Sequence, residues 1–156
     1  MTTLAFALLV TSVPKFETLF FVTSDCPISR RFTPEIKRIM VDYSAISSFV
    51  FVYEDENASL SKVKAHHREF GLNGPFMLDP KRKLVKQYQV KGVPTAVVRS
   101  LDGKAQYFGR IDDSYGNDFK WRPAKHRDLR DALSTLGKGK KPVVTKTTVI
   151  GCALNN

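Results

Sequence analysis

The sequence predicts an α/β fold, a central mixed β-sheet flanked by helices, built as one domain over residues 1–156. Three observations carry that expectation. Short apolar runs alternate with segments of helical period in the order strand, helix, strand, helix, which favours parallel pairing through a crossover connection. The second half holds two short β-type runs joined by a tight turn, the mark of an antiparallel hairpin. The chain is 42% hydrophobic and 26% charged, a balance that builds one soluble core and excludes disordered and fibrous classes.

Phe16 to Val22 (FETLFFV) is short, apolar and rich in aromatics, as a strand buried on both faces must be. From Ile28 to about Ile46, the apolar residues Phe32, Ile36, Ile39, Met40, Tyr43 and Ile46 recur at three- and four-residue steps. That is an amphipathic helix, which Pro34 bends or relieves of its first turn. Ser48 to Tyr53 (SFVFVY) is a second buried strand, followed by an acidic turn and a helix near Leu60 to Phe70. After GPFMLD, Gly74 to Asp79, comes a short helix from Lys83 to Val90, then Gly92-Val93-Pro94-Thr95. Thr95 to Arg99 and Gln106 to Ile111 are the hairpin strands, turning at Leu101-Asp102-Gly103-Lys104. A last helix is expected from Ala124 to Leu136, where Leu129, Leu133 and Leu136 share a face and Gly137 ends it. Residues 137–156 form a basic tail, mobile at its start and apolar enough to dock at its end.

The N-terminal run LAFALLV, Leu4 to Val10, has the length of an export-signal core, but no Lys or Arg precedes it and no small-x-small cleavage site follows. It is too short to span a bilayer as a helix. It reads first as a β-strand and second as a damaged or mis-started export signal. The net charge of +10 is compatible with nucleic acid, an anionic surface or an acidic partner. The basic residues are spread along the chain and not interleaved with aromatics on one element, which argues against nucleic acid.

Two cysteines, Cys26 and Cys152, exclude a disulfide-rich scaffold and a zinc site made of thiolates alone. Two inert thiols, one reactive thiol and a single bridge across almost the whole chain all remain open. Cys26 lies in TSDCPISRRFTP, where a buried strand gives way to a helix, and a thiolate there gains from unpaired backbone N–H groups and the helix dipole. Arg30 and Arg31 add positive potential if they fold back, and Asp25 acts in the opposite direction.

The element order, with Cys26 after the first central strand, Pro34 eight residues later and Val93-Pro94-Thr95 before the hairpin, resembles the thioredoxin-like fold. Phe76 to Lys104 is similar to the redoxin branch of that superfamily, the alkyl hydroperoxide reductase and thiol-specific antioxidant relatives. GRIDDSYG, Gly109 to Gly116, with the RPAKHRDLRDAL helix and a terminal Gly-Cys, resembles bacterial redoxin-domain proteins that are often exported. The resemblance implies a cis Val93–Pro94 bond and a substrate groove shaped by Val93, Pro94 and Thr95, whose backbone pairs with an extended substrate. It implies Cys26 as nucleophile, no cofactor and no metal. A protein disulfide or a hydroperoxide is the implied substrate, and a thiol protein the electron donor. The resemblance slightly favours a periplasmic or exported location.

The chain departs from the thioredoxin pattern at Ser29, which stands where the second cysteine is expected, so Cys26 has no neighbour to resolve a mixed disulfide. Ser29 is expected to donate a hydrogen bond to a Cys26 thiolate. Cys152 is the candidate resolving thiol, with a free buried cysteine as the competing reading. Thr23 matches the threonine that precedes the reactive cysteine by three residues in peroxidases of the redoxin branch, although Leu19 replaces the proline found before it there. Arg99 and Arg110 are the candidates for the peroxide-holding arginine of such enzymes. Three functions therefore stand in order: thiol–disulfide oxidoreductase, peroxiredoxin-like peroxidase, and a binding module that keeps the fold without turnover.

Outside this set, His66-His67 reads as part of a solvated helix face and not as a metal site. Asp112-Asp113, with His126 nearby, reads as a capping and ion-pairing loop, and Phe119 and Trp121 as a lid or core edge. Tyr53, Glu54 and Asp55 follow the second strand on the side where ligands approach an open sheet, with no assigned task.

Overall fold

A computed structural model describes residues 13–55 and 58–154. The strand expected at Leu4 to Val10 lies outside them. The elements are β1 (Phe16–Val22), α1 (Pro27–Asp42), β2 (Ser47–Tyr53), α2 (Leu60–Phe70), β3 (Phe76–Leu78), α3 (Lys83–Tyr88), β4 (Gly92–Val93), β5 (Thr95–Ser100), β6 (Ala105–Gly109), α4 (Asp128–Gly137) and β7 (Cys152–Ala153). A mixed five-stranded sheet runs β3-β2-β1-β5-β6, and β4 pairs with β7 in a separate two-stranded ribbon. β1 lies parallel to β2 and antiparallel to β5, so it is the central strand, and Leu19, Phe20 and Phe21 are wholly buried in it. A continuous apolar run is what burial on both faces requires.

α1 is amphipathic, with Phe32, Ile36 and Ile39 buried on its inner stripe. Pro34 sits inside it without ending it. A proline has no N–H for the carbonyl four residues back, and that carbonyl, on Arg30, instead accepts a hydrogen bond from the Thr33 hydroxyl at 2.8 Å. The helix stops at Asp42, short of Ile46, because the chain needs a turn at Tyr43 to enter β2, whose Ser47 N–H bonds the Tyr43 carbonyl at 3.0 Å.

Other elements also differ from expectation. α4 begins at Asp128, not Ala124, since the Lys125 and His126 N–H groups donate to the Asp113 carboxylate at 2.7 and 2.9 Å. β6 ends at Gly109, where the backbone turns through φ 152° and the tail packs against it. β3, a three-residue edge strand beside β2, carries too few residues to show a period.

His66 and His67 are buried at 4% and 9% exposure, which corrects the solvated face expected for them. With Val63 they form the inward stripe of α2. His66 Nδ1 meets the Tyr53 hydroxyl at 2.7 Å and His67 Nδ1 meets the Leu72 carbonyl at 3.1 Å. Burial pushes both imidazoles below their ordinary pKa and pushes the Tyr53 phenol up. No helix among the described residues is long and apolar enough to cross a membrane.

Candidate active site

β1 delivers the chain to a short turn, and Cys26 becomes the N-cap of α1, with Pro27 at the first helical position, where its missing N–H costs nothing. The Ser29 main-chain N–H donates to the Cys26 sulfur at 3.4 Å, so the sulfur takes the place of a capping oxygen. No acidic residue occupies the first turn of α1. Arg30 is held near it by its Nε donating to the Ser24 carbonyl at 2.8 Å, and its guanidinium lies over Phe70.

The second wall of the site is the Val93–Pro94 loop, whose peptide bond is cis. Thr95 opens β5 opposite Phe21, and its hydroxyl donates to the Gly92 carbonyl at 2.6 Å, which ties the loop to the sheet. The Val93 carbonyl oxygen stands 3.7 Å from the Cys26 sulfur.

The third wall is the tail. Cys152 forms a disulfide with Cys26, with their Cα atoms 6.1 Å apart and a separation of 126 positions in sequence. β7 aligns antiparallel to β4, with Cys152 opposite Val93 and Ala153 opposite Gly92, and the Leu154 N–H donates to the Lys91 carbonyl at 3.0 Å. Gly151 is needed for that approach. A Cβ on it would stand 2.7 Å from the Val93 carbonyl carbon and nearer still to the Val93 oxygen, main-chain atoms that cannot swing aside.

Upstream, the tail is anchored independently of the disulfide. The Phe108 N–H donates to the Thr145 carbonyl at 2.9 Å and the Thr147 N–H returns to the Phe108 carbonyl at 3.0 Å. The Thr147 hydroxyl accepts from the Arg110 N–H at 3.0 Å and meets the Tyr107 hydroxyl at 2.9 Å.

A family model described as thioredoxin-like matches residues 14–105, more than half of the chain. The chain belongs to the thioredoxin-like family. Its fold is shared by an uncharacterised conserved protein of Geobacillus kaustophilus, at TM-score 0.80 and 24% identity over 94% of this chain and 79% of that one. A hypothetical protein of Sinorhizobium meliloti 1021 superposes at TM-score 0.77 and 21% identity over 92% and 80%. A secreted Mycobacterium tuberculosis disulfide oxidoreductase superposes at TM-score 0.52 and 22% identity over 60% and 67%. No curated protein sequence gives a significant match.

Among the expected site residues, this thioredoxin-like chain gathers Cys26, Cys152, Val93, Pro94 and Thr95 into one corner. Ser29 is present too, but not as expected. Its main-chain N–H reaches the sulfur while its hydroxyl is buried without a hydrogen-bond partner, because a first-turn residue aims its N–H, not its side chain, at the cap. Thr23 is half-buried in the turn after β1 and makes no hydrogen bond to the sulfur among the described residues.

Arg99 pairs with Glu17 and Arg110 with Asp128 at 2.8 Å. Glu17 lies near the start of β1, the end remote from Cys26, so Arg99 is at the wrong end of the sheet for a peroxide bound there. Glu54 follows β2 beside the end of β1, buried at 2% exposure against Arg82 at 3.2 Å, and burial pushes its carboxyl up. Asp112 accepts from the Ser114 N–H at 2.8 Å and is raised by burial, a local cap as expected of that loop. Phe119 and Trp121 are more than two-fifths exposed, and Trp121 carries the Arg31 guanidinium at 4.8 Å. No group of three metal-ligating side chains occurs among the described residues. Thr147 and Tyr107 were contributors that residue patterns did not announce, whereas the terminal Gly151-Cys152 pair was named without its close contact with Val93.

Proposed function

We propose that the chain is a thiol–disulfide oxidoreductase whose redox pair is Cys26 and Cys152. The observation that carries this reading is the disulfide joining the N-cap of α1 to the tail across the Val93–Pro94 loop. Unpaired N–H groups at a helix start favour a thiolate, so Cys26 is both the better nucleophile when reduced and the better leaving group when oxidised. In the oxidised protein Cys26 is 3% exposed and Cys152 is half-buried. A donor thiolate therefore attacks Cys152, forms a mixed disulfide with it and expels Cys26 as the thiolate. A second donor thiol then releases Cys152, and two electrons have entered the protein. In the forward direction the Cys26 thiolate attacks a substrate disulfide, one substrate sulfur leaves as thiolate, and Cys152 attacks Cys26 to expel the other. The substrate is a protein disulfide and the donor a thiol protein. A peroxidase role has less support, since both arginine candidates are engaged in ion pairs and Arg99 lies at the end of the sheet remote from Cys26.

Reduction of a model protein disulfide by Cys26→Ser and Cys152→Ser chains tests this. Cys26→Ser is expected to lose all exchange, and Cys152→Ser to stall as a mixed disulfide visible by mass under non-reducing conditions. Turnover of Cys26→Ser at the wild-type rate would overturn the reading.

A further inference from the structure

The tail strand is a template for what the groove takes from outside. We infer that, once Cys26 is reduced, the edge of β4 receives an extended partner segment whose attacked cysteine directly follows a glycine and precedes, by two residues, a large apolar side chain. This rests on the exchange function proposed above and deepens it by naming the substrate class.

Three features of the docked tail define the segment. Its cysteine stands opposite Val93, which sets the register. The residue before the cysteine meets the Val93 carbonyl and the Pro94 nitrogen so closely that no Cβ fits, and both are main-chain atoms of a loop tied down by Thr95. Two residues after the cysteine, Leu154 packs against the core while its N–H bonds the Lys91 carbonyl. Backbone pairing supplies affinity without sequence preference, and the positions that meet a wall or a pocket supply selectivity.

A foreign strand laid in the same register meets the same wall, so a residue larger than glycine before the cysteine either loses the register or forces the loop aside. Overpacking of that kind is expected to slow attack by about 5- to 150-fold. Tail and partner cannot occupy β4 together. The partner strand must be displaced when Cys152 returns to Cys26, which couples resolution to product release.

The Cys26 thiolate, its proton already given to solvent, attacks the sulfur of the partner cysteine. A Cys26–partner disulfide forms, the original disulfide breaks, and the other sulfur departs as a thiolate with the bonding electron pair.

The test uses the full chain with Cys152→Ser, in which the adduct cannot be resolved, and peptides of residues 148–154 whose cysteine carries a chromogenic aromatic thiol in disulfide linkage. The residue before the cysteine is Gly, Ala or Val, and the residue at the Leu154 position is Leu or Lys. The peptide with Gly and Leu is expected to release the aromatic thiol about tenfold or more faster than the Val peptide, with Ala between them and Lys slower than Leu. The reduced wild-type chain must rank the peptides in the same order, which guards against misfolding of the variant. Equal rates for Gly and Val, with a small aromatic disulfide reacting normally, would overturn the template while leaving the exchange function standing. Failure of the small disulfide to react as well would overturn both.

Discussion

The two cysteines of this chain reach one disulfide by opposite routes. Cys26 is placed by its immediate neighbours: a buried strand ends, a proline starts a helix, and the sulfur accepts the Ser29 N–H as a cap. Cys152 sits in a two-residue strand that no local pattern specifies, and is placed by β4, by the Val93 backbone and by the Thr147 anchor on β6. Under the proposed function, the nucleophile sits at a strand-to-helix junction and the second thiol on the docked tail. Thr148 to Gly151 alone connect the anchor to Cys152, so in the proposed cycle the second thiol would be kept at high local concentration after reduction.

Breaking the arm's approach has the largest expected effect. Gly151→Val places side-chain atoms into the Val93 carbonyl, and the Cys26–Cys152 bridge is expected to fail to form in the folded protein while Cys26 stays alkylatable. Peptide mapping after mild oxidation reads this directly, and a normal bridge in the variant would show that the tail has another way in.

Weakening the anchor is expected to do less. Thr147→Val removes the acceptor for the Arg110 N–H and the contact with the Tyr107 hydroxyl, at about 1–2 kcal/mol. The bridge should still form but close more slowly after a reducing pulse, with the thiol chemistry of Cys26 itself unchanged. A closing rate equal to wild type would mean that β7 alone holds the arm.

The smallest effect separates the sheet end from the tail. Burial lowers the His66 imidazole below its ordinary value of 6.5, so the folded state binds its proton less readily than the unfolded chain does. Its contribution to stability is complete above pH 6.5 and is lost as pH falls below it. Glu54, raised by burial, works in the opposite sense in the acid range. His66→Gln should flatten the fall in melting temperature between pH 7 and pH 5, measured on the disulfide-bonded form, and leave bridge formation alone. An unchanged slope would assign the acid sensitivity to other groups.

Much of the frame was legible in the residues. The aromatic-rich β1 and β2, the stripe Phe32, Ile36 and Ile39, and the Leu101-Asp102-Gly103-Lys104 turn each carry a period or a turn signal several residues long. The misplacements arose where tertiary contacts spend local groups. Ala124 to Arg127 look helical, yet two of their N–H groups serve Asp113. His66 and His67 are polar by type but share an inward face with Val63. Thr23 matched a motif by spacing alone, and it makes no hydrogen bond to the disulfide-bonded sulfur among the described residues.

By itself the sequence determined the order of elements, the strand-to-helix junction that holds Cys26 and the Val93-Pro94-Thr95 loop, because each depends on neighbours within a few residues. Only the tertiary structure decided that Cys152 meets Cys26 and that Gly151 is indispensable to the meeting. The reason is physical. β4 and β7 are two residues long, too short for any periodicity, and what brings them together is main-chain contact between segments far apart in sequence, which composition and spacing do not record.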